Sequence, residues 1–291
     1  MRWTPGRRNE NLEDRRGESG GGGFGGGGGG GIKLGLGGTV VVLILSLVFR
    51  KDFFSMLDGS AGGAPVTSEQ PVSGAPVASS AAENKSVEFV NFLMNDTEQT
   101  WSEILAANGQ QYVKPHLVLF RDGVESACGF AQSATGPFYC PGDQKVYIDL
   151  GFFDELGNKF GAPGEFARAY VLAHEFGHHV QNLLGTERSM RRAQQQNPQS
   201  ANALSVAMEL QADCFAGIWA ASANKRNIVE PGDIEGGLTA AAAVGDDRLQ
   251  RMGSGHVNPE SFTHGSSAQR MDWFKRGFNQ GSISACDTFS R

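Results

Sequence analysis

The stretch that decides the fold is Val171-Leu-Ala-His174-Glu175-Phe-Gly-His178-His179-Val180, inside the longest helix that the sequence predicts for the folded part of the chain. On an α-helix, residues four apart differ by roughly 40° in direction and about 6 Å in height. His174 and His178 can therefore direct both imidazoles at one point. Glu175 lies roughly 100° round the helix from His174, close enough to hold a water molecule bound there. This arrangement is typical of a catalytic zinc site, with Glu175 as the base.

A zinc site needs at least a third protein ligand, and the next predicted helix offers one. A third histidine at the metzincin spacing would fall at position 184, which is Leu184, and Gln181 stands where that pattern needs glycine. Glu209 lies instead on a flank of small residues, and Gly177 is correspondingly small beside the histidines. We therefore predict Glu209 as the third ligand. Asp213, one turn further on, is predicted to accept the other ring N–H of a ligand histidine.

These motifs carry a resemblance to a known family. His174-Glu-Phe-Gly-His178 followed by Glu209-Leu-Gln-Ala-Asp213, with Ser261-Phe-Thr-His264-Gly-Ser-Ser-Ala-Gln-Arg270 behind, resembles the bacterial putative neutral zinc metallopeptidases, of gluzincin type. The resemblance spans essentially the whole chain. It implies an α+β, zincin-like fold that is mostly helical with a small sheet. It also implies that the protein hydrolyses bonds in a peptide or protein substrate. Proteins of this family carry a glycine-rich N-terminal region, one membrane anchor and an extracytoplasmic domain.

A second hydrogen-bond donor beside the metal would stabilise the charge that develops during peptide hydrolysis. His264 is the first candidate, because it lies in a Gly/Ser-rich loop before a predicted helix, and His256 is the second. His179 points away from His178 and is predicted to be structural or to support a ligand. His116, at the start of a strand, is predicted to be structural, and Arg270 is predicted either to hold a carboxylate or to be a surface charge.

Composition divides the chain into four parts. Residues 1–31 end in an almost pure glycine run and are predicted to be disordered, because such a tract gains too little by burial to offset its ordering entropy. Residues 32–51 are predicted as a transmembrane anchor and residues 52–85 as a flexible Pro/Ser/Ala/Gly linker. The zinc metallopeptidase domain is predicted over 86–291. The net charge of -6 gives no footprint for nucleic acid.

The apolar segment from Leu34 to Phe49 is short for a bilayer, and flanking cations can close the gap by snorkelling. More Lys and Arg residues precede it than follow it, so we predict a single-pass protein of the bacterial inner membrane. Its N-terminus would be cytoplasmic and its catalytic domain periplasmic or extracytoplasmic. The alternative is a cleaved signal peptide with small residues near Gly59 and Ala61 at the cleavage site, but its n-region would be long.

The cysteines number four and have no CxxC spacing, so they do not indicate a zinc ribbon or a thioredoxin motif. In an oxidising compartment they allow three pairings. We favour Cys128 with Cys140, which bracket a loop between two apolar runs, and then Cys214 with Cys286. Four free thiols in a cytosolic protein would be the alternative.

Hydrophobic periodicity predicts the remaining elements. A helical pattern begins near Ser86, and Asp96 with Thr97 is a candidate cap for a second helical segment. The strands are predicted at 116–120 and 146–150, with Val146–Leu150 as an edge that could pair with an extended peptide. The further helices are predicted at about 164–184, 203–224, 235–250 and 266–279.

Two other functions fit the same fold. One is a catalytically inactive envelope scaffold in which zinc is structural or absent, and the other is a module that only binds peptides. Glu175 argues against a scaffold, because a structural site has no use for a carboxylate at that position and prefers four ligands rich in cysteine.

Overall fold

The computed structural model describes residues 1–18 and 79–290. The predicted anchor at 32–51, the glycine run and most of the predicted linker lie outside the described residues. The described helices are α1 (Ala81–Ala107), α2 (Gly151–Asn158), α3 (Glu165–Leu184), α4 (Thr186–Gln196), α5 (Ala201–Lys225), α6 (Asp233–Ala243), α7 (Asp246–Gly253) and α8 (Ser267–Gln280). The described strands are β1 (Leu12–Asp14), β2 (His116–Phe120), β3 (Gly123–Ser126), β4 (Gly129–Gln132), β5 (Phe138–Cys140) and β6 (Lys145–Asp149).

Helix α3, which carries the histidines, is the centre of the fold. It ends at Gly185, whose left-handed φ of 76° closes the helix. Its residues are buried on nearly every side, as expected of a helix enclosed by other elements. At Gly177 a side chain would bring its Cβ within 3.0 Å of the Ala212 carbonyl oxygen of α5. The prediction that small residues let these two helices approach closely is therefore confirmed at Gly177.

Helix α8 also packs closely on α5. A Cβ at Gly217 would lie 2.1 Å from the carbonyl oxygen of Phe274, and one at Gly277 would lie 1.9 Å from that of Cys214. Neither distance is compatible with a side chain, so both glycines are required for this packing. Their absence of side chains brings the first turn of α8, with Arg270, towards the histidines of α3.

The sheet has the order β1-β2-β6-β5, in which β1, β2 and β6 are parallel and β5 is antiparallel to β6. The prediction that Val146–Leu150 forms an edge is therefore wrong, because β6 lies between two strands. The alternation of apolar and polar residues in this strand suggested one exposed face, but its polar residue Asp149 is buried. The Asp149 carboxylate accepts hydrogen bonds from the Ser133 hydroxyl and from the amides of Asp122 and Gly151. The edge strand on this side is β5, which we did not predict.

Residues 1–18 are part of the fold, which corrects the predicted disorder of 1–31 for this portion. Leu12 is buried, and β1 pairs with β2. Trp3 packs on Phe89 with ring centroids 5.2 Å apart. The Asn9 amide nitrogen donates to Asn91 Oδ1 over 2.7 Å. The segment is held by the Trp3 ring, by polar contacts with α1 and by one short strand, and these scattered contacts leave no hydrophobic periodicity in the sequence.

The position of β1 bears on the predicted membrane topology. A chain that crossed a membrane once between residues 18 and 79 would place β1 and β2 on opposite sides, where they could not pair. The predicted cytoplasmic N-terminus is thus incompatible with a folded domain outside the membrane. Within residues 1–18 and 79–290, no helix is both long and apolar enough to span a bilayer.

Helix α1 begins earlier than the predicted start at Ser86. Ser80 caps it by accepting a hydrogen bond from the Glu83 amide over 3.1 Å, so residues 81–85 belong to the helix and not to the linker. The helix then continues without interruption through Asp96 and Thr97. Asp96 does not cap a second segment, because its carboxylate accepts hydrogen bonds from Trp219 Nε1 and Arg226 Nη2 at 2.8 Å each.

The helix predicted at 235–250 is two helices, α6 and α7, separated at Gly245. A Cβ at Gly245 would lie 2.4 Å from the Ser267 amide nitrogen, so Gly245 lies directly against the first residue of α8. The helical pattern is interrupted at this contact. Helix α4 was not predicted, since none of its residues is buried and its sequence carries no apolar stripe.

Both favoured disulfides are confirmed. Cys128 pairs with Cys140 and ties the β3–β4 hairpin to β5, whereas Cys214 pairs with Cys286 and ties the C-terminal segment to α5. Disulfides persist in oxidising compartments, so the two disulfides indicate a location outside the cytoplasm.

Candidate metal centre

Helices α3 and α5 bring three side chains of mixed nitrogen and oxygen chemistry to one point. His174 Nε2 lies 3.1 Å from His178 Nε2 and 3.2 Å from Glu209 Oε2. His178 Nε2 lies 3.5 Å from Glu209 Oε1. The three ligand atoms all lie within 4.8 Å of one another, and each belongs to a residue predicted from the sequence as a metal ligand.

These spacings fit a zinc ion. Tetrahedral zinc with bonds of about 2.0–2.1 Å holds its ligand atoms roughly 3.3 Å apart. The 3.1 Å between the two ring nitrogens and the 3.2 Å from His174 Nε2 to Glu209 Oε2 lie close to that value, and the 3.5 Å from His178 Nε2 runs to the other oxygen of the same carboxylate. Two imidazole nitrogens and one carboxylate are also the donor set of catalytic zinc sites, which keep the fourth position for water or substrate. The residues present therefore fit zinc.

Asp213 contacts the ring nitrogen of His174 that does not face the metal centre. Its Oδ1 lies 2.9 Å from His174 Nδ1, as predicted for the second ring nitrogen of a ligand. The same carboxylate accepts hydrogen bonds from the Tyr170 hydroxyl and from Arg270 Nε and Nη2, the last two at 2.8 and 2.9 Å. Asp213 is fully buried and Arg270 nearly so. Arg270 thus holds a carboxylate, one of the two roles considered from the sequence, and Tyr170 was missed.

The electrostatics of the centre favour a cation. Burial would lower the pKa of His174, but the carboxylates of Asp213 and Glu209 outweigh it and raise that pKa to about 10. Burial would raise the pKa of Glu209, yet the charges of His178 and His264 hold it well below its ordinary value. Glu209 is therefore an anion facing two ring nitrogens, which is the protonation state in which it binds a metal.

Glu175 has a different environment from the other acids. Burial raises its pKa, although the neighbouring His174 and His178 act in the opposite direction. Within residues 1–18 and 79–290, no group donates a hydrogen bond to its carboxylate, whereas that of Asp213 accepts from Tyr170, Arg270 and His174. A nearly buried carboxylate with free lone pairs and a raised pKa is suited to accept a proton.

His264 lies on the loop between α7 and α8, at the side of α5 that carries Glu209. Gly265, the next residue, would place a Cβ 3.2 Å from Leu210 of that helix. Asp246 organises the loop, because its Oδ2 accepts from the amides of Thr263, His264 and Gly265 and its Oδ1 lies 3.3 Å from His264 Nδ1. Asp246 was not predicted from the sequence.

The other two histidines considered for the site are not part of it. His256 is exposed on the turn after α7. His179 is fully buried and bridges α3 to its surroundings, with Nε2 2.6 Å from the Val113 carbonyl oxygen and Nδ1 3.0 Å from the Tyr139 hydroxyl. Burial lowers the pKa of His179 to about 4, so it is neutral at pH 7. His116, at the start of β2, lies with its Nδ1 2.8 Å from Glu13 Oε1, and its structural role stays a prediction.

Two histidines on α3 and a glutamate on α5 form a group that could hold a metal ion, with the acid Glu175 next to the first histidine, on an α+β domain. The chain belongs to the family described as putative neutral zinc metallopeptidase, which matches residues 1–289.

The curated relatives that the chain matches include proteins named as uncharacterized. The chain is 44% identical over 293 residues to the uncharacterized protein YpfJ of Escherichia coli K12, covering 100% of this chain and 99% of YpfJ. It is 48% identical over 207 residues to the uncharacterized protein Rv2575 of Mycobacterium tuberculosis H37Rv, covering 67% of this chain and 68% of that protein. No solved structure matches the chain.

Proposed function

We propose that the protein is a zinc-dependent peptidase, in which His174, His178 and Glu209 hold the ion and Glu175 is the general base. The observation that carries the proposal is the contrast between two acids beside one metal centre. The Asp213 carboxylate is saturated by donors and serves a ligand, whereas the Glu175 carboxylate has no donor among the described residues. A centre built only to stabilise the fold would have no use for the second acid.

Zinc, when bound, acts as a Lewis acid that lowers the pKa of water and polarises a carbonyl group. The chain's own residues perform the proton transfers. Glu175 takes a proton from the attacking water and then delivers it to the amine of the departing peptide. The raised pKa of Glu175 supports both roles, since a base whose pKa lies nearer the working pH also donates readily. Asp213 and Arg270 keep His174 in position throughout.

His264 is proposed to donate a hydrogen bond to the oxygen of the scissile carbonyl as negative charge develops on it. We expect His264→Ala to lower kcat by about 10²–10³, because one donor to such an oxyanion contributes that much. KM and bound zinc should change little, since the ligands are untouched. Steady-state kinetics on a peptide substrate provide the measurement, and His256→Ala, on an exposed histidine, is the control. An unchanged kcat in His264→Ala would remove this residue from the mechanism.

The proposed location is outside the cytoplasm, in the bacterial cell envelope. The two disulfides support it, because they persist where thiols are oxidised. Residues 1–18 would then lie on the same side as the metal centre, since β1 pairs with β2. Attachment to the inner membrane stays a proposal from the sequence, and because β1 pairs with β2 it would have to leave residues 1–18 and 79–290 on one side of the bilayer.

The alternatives are an inactive scaffold and a module that only binds peptides. Removal of the metal separates them from a peptidase. We expect the full chain to cleave fluorogenic peptides, to lose that activity in a zinc chelator, and to regain it when zinc is added back. Cleavage that continues in the chelator would exclude a metal-dependent mechanism. Loaded zinc without cleavage of any peptide in a diverse library would favour the two alternatives.

A further inference from the structure

A chain of side-chain amides leads from His178 to the C-terminal disulfide. His178 Nδ1 lies 2.8 Å from Gln181 Oε1. Gln181 Nε2 donates to the Met208 carbonyl oxygen over 2.7 Å and to Gln211 Oε1 over 3.1 Å. Gln211 Nε2 in turn donates to the Cys286 carbonyl oxygen over 3.0 Å. We call Gln181 and Gln211 the amide relay.

Two backbone carbonyls fix the direction of the relay. A carbonyl oxygen can only accept, so Cys286 requires the NH₂ end of Gln211, and the oxygen end then faces Gln181. Met208 likewise requires the NH₂ end of Gln181. The oxygen of Gln181 is left to face His178, where it can only accept a hydrogen bond from the Nδ1–H. His178 is thereby held with its proton on Nδ1 and its Nε2 lone pair directed at the metal centre.

The relay is buried, so water does not replace a hydrogen-bond partner that either glutamine loses. Gln181 is fully buried and Gln211 is 8% exposed. Loss of one member leaves a buried amide of the other without its partner, which disfavours the present orientation. The two ligand histidines are therefore supported differently. His174 is held by the charged carboxylate of Asp213, whereas His178 is held by the neutral amide of Gln181, which is oriented by the Met208 carbonyl and by Gln211.

We propose that Gln181 and Gln211 are positioning residues for the second histidine ligand, and that the Cys214–Cys286 disulfide sets zinc affinity through them. The inference rests on the proposed zinc site. The disulfide fixes Cys286 against α5 at the point where Gln211 needs an acceptor. When a dithiol reductant supplies two electrons and two protons and converts this disulfide to two thiols, the segment loses its covalent tie, Gln211 loses its orientation, and zinc binds more weakly. The protein would then hold its metal firmly only after export to an oxidising compartment.

The test measures the zinc dissociation constant of the full chain by competition with a chelator of known affinity. We expect Gln211→Met to weaken zinc binding by about 10–100-fold, the usual effect of removing a partner behind a ligand histidine. Gln194→Met is the matched control, because Gln194 also donates to a backbone carbonyl, that of Ala201, but has no contact with the metal centre. Cobalt absorption spectra should change in Gln211→Met and stay unchanged in Gln194→Met.

The disulfide is tested with the double variant Cys214→Ser, Cys286→Ser. It should weaken zinc binding as Gln211→Met does, and combining the two changes should add little, because both interrupt the same chain of contacts. Zinc affinity equal to the parent in Gln211→Met, or losses that add fully, would overturn the relay, even if the metal-free variants unfold more easily. A parent that binds no zinc would overturn the proposed metal site itself, so the two failures are distinguishable.

Discussion

Glu175→Gln is expected to lower the rate of peptide hydrolysis by about 10²–10⁴, the range that a positioned general base contributes. Glutamine keeps the size of the side chain but cannot accept the proton of the attacking water. Zinc should stay bound, because the amide leaves the three ligand atoms in place. Activity and zinc content measured on the same preparation separate loss of the base from loss of the metal.

Glu103→Gln is a suitable control, because it makes the same chemical change on an exposed part of α1. We expect it to retain the activity of the parent. Should Glu175→Gln cleave peptides as fast as the parent does, the base would have to be another group, and the contrast between Glu175 and Asp213 would lose its functional meaning.

Asp213→Ala is expected to destabilise the metal-free protein by about 3–5 kcal/mol, the cost of removing one partner of a buried ion pair. Arg270 would keep its charge, because guanidinium does not lose its proton at any ordinary pH. The nearest other carboxylate oxygen, that of Glu209, lies 3.9 Å from Arg270 Nη2, beyond hydrogen-bond distance. Zinc binding should weaken as well, since His174 loses the group that orients it.

Denaturant unfolding in the presence of a chelator measures this effect. Asp272→Ala, an exposed aspartate on α8, should leave the free energy of unfolding nearly unchanged. Adding Arg270→Met to Asp213→Ala should recover part of the lost stability, because it removes the unpaired charge. A free energy of unfolding equal to the parent's in Asp213→Ala would contradict a buried ion pair beside the metal centre.

The metal ligands could be predicted because their signal is local. His174 and His178 are one helical turn apart, and Glu209 lies on the next predicted helix beside small residues. Pairing of the four cysteines also followed from their positions along the chain. The class of fold, α+β and mostly helical, agrees with these signals.

Asp213 was predicted as a support for His174, but other supporting groups could not be predicted, because their contacts are distant in sequence. Gln211 meets a backbone carbonyl 75 residues away, and Asp246 collects the amides of a loop 17 to 19 residues further on. Such contacts leave no periodic pattern. The N-terminal strand was missed for a similar reason, since its partners lie in α1 and β2, beyond the glycine run that dominates the composition of residues 1–31.

The central claim is that His174, His178 and Glu209 hold one zinc ion. The most direct test is the zinc content of the purified full chain after dialysis against metal-free buffer, beside Glu209→Ala, His178→Ala and the exposed control Glu103→Ala. We expect one zinc per chain in the parent and in the control. Both ligand variants should have lost it or hold it much more weakly. Zinc retained at full stoichiometry without Glu209 would contradict the three-ligand site.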